Sequence, residues 1–378
     1  MDISYTTPAK PRPSLTWRMR WHRWRNRVLS NPSFQRWAAR NPLTRAVGHR
    51  KAIALHHLTA GFVYSQTLAA LVELELLDVL AEGPTTTQEI AARKQLAEPA
   101  TETLLKAGQS LKLVEHYQQG VWGLGELGAA MLANPGIAEM VRHHKHLYRD
   151  LTDPISLLRD RDGSALSKYW HYDAVLAGSG EPQVYSNLMS DSQAMIADHV
   201  LAAVDLKGCQ QLLDIAGGTG AFARRALECA DHLTATVLDL PAVASQGLER
   251  EPESPRLRFV GGDMFEGPLP LGADCVSFIR VLHDHDDERV QLALTNAFKA
   301  LKPGGRIIVA EPMAETRGAE SVGYAYFGLY LWSLGSGRPR TSAELTRFIN
   351  EAGFEQVREQ KSPMPCLVRV IVGHKAFA

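Results

Sequence analysis

Between Gln211 and Glu311 five short apolar bursts, Q-L-L-D-I-A, T-A-T-V-L-D-L, L-R-F-V-G-G-D, C-V-S-F-I-R-V-L and R-I-I-V-A-E, alternate with stretches of helical period. Near-continuous apolar strands are buried on both faces, and strands linked by crossover helices lie parallel, so few folds other than an α/β doubly wound sheet accommodate this pattern. Residues 201–378 are therefore expected to form a mostly parallel, Rossmann-like sheet. Two later runs, about 354–360 and 366–375, flank Pro363 and Pro365 and are expected to close one edge as an antiparallel pair.

Residues 51–200 carry a different signature. From about 51 to 82 the apolar spacing suits buried helices of period 3.6. After Pro84, T-T-Q-E at 86–89 reads as a capping box with Thr86 at N-cap and Glu89 at N3. A helix from Glu98 to Ser110 and a hairpin across 113–125 complete a winged-helix arrangement, and helices continue to about 205. The would-be recognition helix sets Glu98 and Glu102 against a single Lys106, whereas phosphate contacts need clustered Lys and Arg, so nucleic acid is not an expected partner. H-H-K-H at 143–146 is expected to be a polar helix face, not a metal site, because further ligands for a closed coordination sphere are not evident.

Residues 1–50 are a separate electrostatic object. The whole chain is formally neutral, with 41 basic and 41 acidic residues, yet this arm holds eleven Lys and Arg against one acid, Asp2. Cys209, Cys229, Cys275 and Cys366 lie far apart without a C-x-x-C pair, which argues against a disulfide framework and points to a reducing cytoplasm. No run approaches the ~18 apolar residues of a membrane span, and the first residues lack the apolar stretch of a signal peptide.

In an open parallel sheet, ligands bind beyond the carboxyl ends of the strands, at the switch point. D-I-A-G-G-T-G-A-F, Asp214 to Phe222, ends the first strand, and Gly217, Gly218 and Gly220 let backbone approach a ligand before a helix N-terminus. The glycine motif alone also satisfies the dinucleotide fingerprint and is weak evidence. Asp239, nineteen positions after Gly220, can take the two ribose hydroxyls of an adenosine, in NAD as well as in S-adenosylmethionine. Gly261-Gly262-Asp263-Met264 offers a second carboxylate for an adenine amine and a soft apolar side chain for the ring face.

With the L-K-P-G-G turn at 301–305, the ordered set resembles the class I S-adenosylmethionine-dependent methyltransferases. G-G-T-G, D-L-P, G-G-D-M-F, L-H-D, L-K-P-G-G and A-E-P, behind a winged-helix half, look like the caffeate and acetylserotonin type of small-molecule O-methyltransferase. The basic arm, A-G-F-V-Y-S-Q, G-L-G-E-L-G-A-A-M-L, M-V-R-H-H and S-G-R-P-R-T are similar to the bacterial carotenoid hydroxyl methyltransferases, the hydroxyneurosporene and demethylspheroidene enzymes; the bacteriochlorophyllide C-20 methyltransferases are close relatives. The resemblance implies S-adenosyl-L-methionine as cofactor, a homodimer built through 51–200, and an arm, a dimerisation domain and a cofactor domain at 1–50, 51–200 and 201–378.

Two histidines and three aspartates fill His283 to Asp287. Successive strand residues face opposite ways, so His283, Asp284 and His285 are not expected to converge on a metal. Asp286 and Asp287 are expected to start a helix by capping its free N–H groups. By the resemblance His283 is the general base for a hydroxyl nucleophile, a task suited to imidazole, and Asp284 sits at the cofactor. Glu311 matches the acid that orients the base. A second family acid, in G-x-E-R-T, is replaced by Pro339 in G-R-P-R-T; His285 stands where the family has Trp, and Ala216 where plant relatives have Gly.

The resemblance also places Met189, Tyr326 and Tyr330 in the substrate pocket. An apolar, aromatic wall suits a lipophilic small molecule, a long polyene alcohol, better than a charged catechol. Five arginines and three tryptophans within 17–29 are expected to give peripheral contact with the inner membrane, against the alternative of packing on a partner subunit. The rival functions are carbon methylation of a bacteriochlorophyllide, O-methylation of another small aromatic or apolar alcohol, a nicotinamide dehydrogenase, and a DNA-binding regulator without catalysis.

Overall fold

The computed structural model describes residues 16–161, 163–169, 182–250 and 254–377, with side chains described except at 119, 169 and 182–192. Internal contacts divide the chain into two units, 1–68 and 69–378. The first unit holds α1 (Trp17–Leu29), α2 (Pro32–Arg40) and most of α3 (Pro42–Glu73). Thr16 caps α1 by accepting from the Met19 amide, and Asn31 caps α2 by accepting from the Ser33 and Phe34 amides. Pro32 and Pro42 open their helices, where a missing N–H is harmless. The expected burial from residue 51 is corrected: Leu55, Leu58 and Phe62 are 64%, 81% and 68% exposed, and full burial begins with Thr67 and Leu71. The periodicity marks an apolar face without saying what covers it.

The second unit begins with α4 (Leu76–Ala81), α5 (Thr87–Lys94) and α6 (Glu98–Ser110). The Thr86–Glu89 capping box forms in both directions. Strands β1 (Thr85–Thr86), β2 (Val114–His116) and β3 (Val121–Leu124) form a small sheet in the order β1-β3-β2. Buried Trp122 locks this wing to α5 through its indole N–H, which donates to the Thr87 hydroxyl at 2.9 Å. Helices α7 (Glu126–Leu132) and α8 (Pro135–Asp150) follow, and Pro154–Arg159, Ala165–Tyr169 and Pro182–Ala203 are also helical before the large sheet.

That sheet has seven strands: β4 (Gln211–Ile215), β5 (Thr234–Asp239), β6 (Leu257–Gly261), β7 (Ala273–Ile279), β8 (Leu301–Glu311), β9 (Glu355–Gln360) and β10 (Arg369–His374). Their order is β6-β5-β4-β7-β8-β10-β9. β4 to β8 run parallel, and β10 is antiparallel to β8 and β9, as the two proline-separated runs led one to expect. One face of the sheet buries Leu213, Ile215, Phe278 and Val309; the other buries Leu212, Val237, Cys275 and Ile308. This two-sided burial explains why the strands read as apolar bursts instead of alternating. Truncating one such residue, Leu213→Ala for instance, costs about 2–5 kcal/mol.

The chain proceeds outward from β4 to β6, then returns to place β7 on the other side of β4. Crossovers on either side of β4 leave a crevice at its carboxyl end. One detail differs from the sequence reading: β7 stops at Ile279, not Leu282. Arg280 takes a left-handed conformation (φ 58°) while its amide still donates to the Ala310 carbonyl, and a 3-10 turn, Leu282–Asp284, follows.

Candidate active site

The glycine loop after β4 is shaped by close approaches. A Cβ on Gly217 would lie 2.4 Å from the Asp214 carboxylate, and Gly218 and Gly220 have φ of +61° and +85°. Gly220 then opens the helix Ala221–Cys229, so the loop presents backbone, not side chains, to the crevice. Ala216 adopts φ 53°, a conformation that glycine enters more easily. Asp239, at the end of β5, accepts from the Gly218 amide on one oxygen and the Leu240 amide on the other, both at 2.7 Å. Burial pushes its carboxyl up to about 6, against the lowering effect of those two bonds. Each oxygen keeps a lone pair for a further donor.

Asp214 beneath the loop is fully buried, receives the Ser277 hydroxyl at 2.6 Å, and is pushed up to about 7 by burial. Asp263, after β6, accepts from the Phe265 amide and remains partly exposed. Met264 is buried within the sheet's core cluster, its carbonyl held by Asn296.

His283 is supplied by the 3-10 turn. Its Nδ1 lies 2.5 Å from Glu311 Oε2, while Glu311 Oε1 accepts the Val281 and Leu282 amides at 2.9 and 2.7 Å. An ionised carboxylate only accepts, so Nδ1 carries the proton and Nε2 holds the lone pair. Nε2 stands 3.3 Å from Asp284 Oδ1. Burial works against the charged imidazole, but the Asp284 and Glu311 carboxylates outweigh it and raise the His283 pKa above its ordinary 6.5. Because residues 282–284 form a turn and not a strand, the expected alternation of side chains is corrected, and His283 and Asp284 come together. Among the described residues no group of three or more His, Cys, Asp or Glu is placed to hold a metal ion.

Asp286 and Asp287 do begin a helix, Asp287–Ala300, yet their side chains do not cap it. Asp286 accepts from the Gly337 amide at 3.0 Å. Asp287 takes a two-pronged contact from Arg338 and two further bonds from Arg340. Burial opposes the Asp287 charge, but both guanidiniums hold its carboxyl below the usual range. Buried Arg340 also donates to the Leu282 and His285 carbonyls at 2.8 and 2.6 Å, and the Arg338 amide donates to the His283 carbonyl at 3.0 Å. The G-R-P-R segment therefore braces the turn that carries His283. Pro339 is buried there and has no side-chain acceptor, leaving Glu311 as the carboxylate on Nδ1.

The candidate pocket wall lies on a π-helical segment, Val322–Phe327, continued by the helix Gly328–Leu334. Tyr326 and Tyr330 do share a face, with ring centroids 5.9 Å apart. Phe327, which sequence reasoning did not single out, sets its ring edge-on to His283 at 5.8 Å. The H-H-K-H run is not a simple polar face: His143 is buried and its Nε2 meets the Tyr330 hydroxyl at 3.0 Å, while His144 Nε2 meets the Tyr326 hydroxyl at 2.7 Å. Burial, aided by the neighbouring cations, pushes His143 down to about 4 and also lowers His144, so both rings are neutral near pH 7. His285 packs edge-on against Phe265. Met189 falls on the helix Pro182–Ala203, with its side chain outside the described residues.

A glycine loop, an acid after β5, another after β6 and a carboxylate-anchored histidine after β7 thus converge on one sheet edge, and the antiparallel β10-β9 pair closes the far side. Fold and site define a methyltransferase of the nucleoside-binding α/β class. Residues 56–134 match the O-methyltransferase dimerisation domain and residues 148–355 the O-methyltransferase domain. The chain belongs to the S-adenosylmethionine-dependent O-methyltransferase family. It is 39% identical to the demethylspheroidene O-methyltransferase of Cereibacter sphaeroides over 88% of this chain and 89% of that protein. Against the Rhodobacter capsulatus enzyme of the same name the identity is 38%, over 88% and 84%. Human N-acetylserotonin methyltransferase, solved in complex with S-adenosylmethionine, superposes with a TM-score of 0.74 at 26% identity, covering 86% of this chain and 98% of that one.

Proposed function

We propose that the protein transfers the methyl group of S-adenosylmethionine to a hydroxyl of an acyclic hydroxylated carotenoid, with His283 as general base. The observation that carries the chemistry is the His283–Glu311 contact at 2.5 Å, which leaves Nε2 as a proton acceptor. The likeness to two demethylspheroidene O-methyltransferases supports the acceptor class.

The residues present suit the cofactor. Gly217, Gly218 and Gly220 bring backbone to the crevice, Asp239 has lone pairs for the ribose hydroxyls, Asp263 stands for the adenine amine, Met264 for the ring, and Asp284 beside the base. When bound, S-adenosylmethionine supplies an electrophilic methyl carbon on a sulfonium. The chain's own part is to align the acceptor oxygen and take its proton on His283 Nε2 as the new C–O bond forms, work worth about 10²- to 10⁴-fold for the proton transfer alone. Glu311 and Asp284 stabilise the resulting imidazolium. Tyr326, Phe327 and Tyr330 form the acceptor wall, and the tyrosine hydroxyls are already engaged by His144 and His143.

The active form is a homodimer. The exposed Leu58 and Phe62 lie at the start of the matched dimerisation domain and Leu55 just before it, where a second copy covers them. No described helix is long and apolar enough to cross a membrane; the protein works as a peripheral enzyme on the cytoplasmic side of the inner membrane, in contact through 17–29.

The test is incubation of purified protein with labelled methyl donor and a panel of hydroxylated acyclic carotenoids, bacteriochlorophyllides and small phenols. Label is expected in the carotenoid ethers. Label in the tetrapyrrole or phenols, with none in the carotenoids, rejects the acceptor assignment.

A further inference from the structure

We infer that α1 lies flat in the headgroup layer of an anionic phospholipid bilayer, tryptophan edge toward the acyl chains. The inference rests on the lipophilic-acceptor reading for its purpose and deepens it by naming the surface, its lipid chemistry and the orientation.

None of the thirteen residues of α1 is buried. An isolated helix of this length is marginal in water, so its regular, Thr16-capped form calls for a surface to lie on. At about 100° per residue, Trp17, Trp21, Trp24 and Val28 fall within an arc of roughly 60°, at i, i+4, i+7 and i+11. The three indoles are 80%, 51% and 54% exposed, and the Trp21 and Trp24 rings stack at 4.8 Å into one apolar edge. Arg18 and Arg25 flank this edge on one side; Arg20, Arg23 and Arg27 flank it on the other. An apolar ridge between two cationic rails matches a helix embedded at the acyl boundary with guanidiniums at phosphate depth, and indole favours that layer. α2 repeats the pairing in small, with Phe34 against Trp37 and Arg36 and Arg40 nearby.

Charge narrows the occupant. Between Asp2 and Glu73 there is no carboxylate, so this stretch is uniformly cationic. A second copy's arm carries the same charge, which disfavours arm-to-arm pairing, and the matched dimerisation domain begins only at residue 56. Nucleic acid is also polyanionic, but its phosphates give no use to a continuous apolar edge of four side chains.

The experiment is cosedimentation of the full-length protein with phosphatidylcholine vesicles, alone or with about a third phosphatidylglycerol, at low salt and at about 0.5 M salt. Wild type is compared with a triple variant, Trp17→Ser, Trp21→Ser, Trp24→Ser, and with Arg18→Gln, Arg20→Gln, Arg25→Gln, Arg27→Gln. Binding is expected only to the anionic vesicles, with a blue-shifted tryptophan emission, and each variant should bind at least roughly 10-fold more weakly. Equal binding by wild type and both variants, or capture by a duplex oligonucleotide in preference to vesicles, overturns the inference. Turnover on an acceptor held in detergent micelles keeps the two readings apart. Variants that lose vesicles but retain micellar turnover support the docking face, whereas wild type that binds vesicles yet never methylates a carotenoid removes the acceptor reading alone.

Discussion

At the scale of single residues, His283 is defined by what holds its Nδ1. Glu311 spends one oxygen on two backbone amides and the other on the imidazole, so the carboxylate itself is fixed before it orients the ring. The rise in the His283 pKa has a signed consequence. As the proposed base, His283 must be neutral to accept a proton, so the rate should climb with pH through a value above 6.5 and level off at higher pH. The stability that the charged pair lends is complete below the unfolded-state value and is lost as pH passes upward through the folded one. Glu311→Gln removes a carboxylate that raises the pKa, so the rising limb of kcat against pH should move to lower pH, with the plateau falling about 10- to 100-fold. An unmoved limb in that variant would mean that Glu311 does not set the state of His283. Both residues were legible in the sequence through the resembled family's L-H-D and A-E-P motifs. Phe327, His143 and His144 were not, because contacts between distant helices leave no local pattern.

Among the elements, the 3-10 turn Leu282–Asp284 and the Gly337–Arg340 segment act as one device. Arg340 reaches two carbonyls of the turn, the Arg338 amide takes the His283 carbonyl, and Asp287 ties both arginines down. Gly337 makes the approach possible: at φ +77° its missing Cβ would lie 2.1 Å from the His283 carbonyl oxygen. Gly337→Ala is therefore expected to displace the turn, costing about 1–3 kcal/mol and lowering turnover at least 10-fold, with circular dichroism of the sheet unchanged. Wild-type kcat in that variant would show that the segment does not position the base. Apolar bursts foretold the strands and their parallel run, and the capping box at 86–89 formed as read. The ends of elements were harder. Asp286 and Asp287 carry the chemistry of a helix cap, but some fifty positions later the Gly337 amide claims the first carboxylate and a pair of arginines the second. Likewise the π-helical turn at 322–327 has no periodicity to distinguish it from an ordinary helix.

For the molecule as a whole, formal neutrality conceals a cationic arm and an acidic remainder, and each has its own surface to meet. The arm's arginines and tryptophans were readable as composition, whereas the exposure of Leu55, Leu58 and Phe62 was not, since a dimer face and a core face have the same period. The family assignment, the sheet order and the convergence of strand ends all lead to one claim: the imidazole at 283 removes the acceptor's proton while the crevice beside it holds the methyl donor. The most direct measurement compares wild type with His283→Ala for methyl turnover on a hydroxylated acyclic carotenoid and, by calorimetry, for S-adenosylhomocysteine affinity. Turnover should fall by at least about 10²-fold with the affinity unchanged; turnover at the wild-type level would contradict the account.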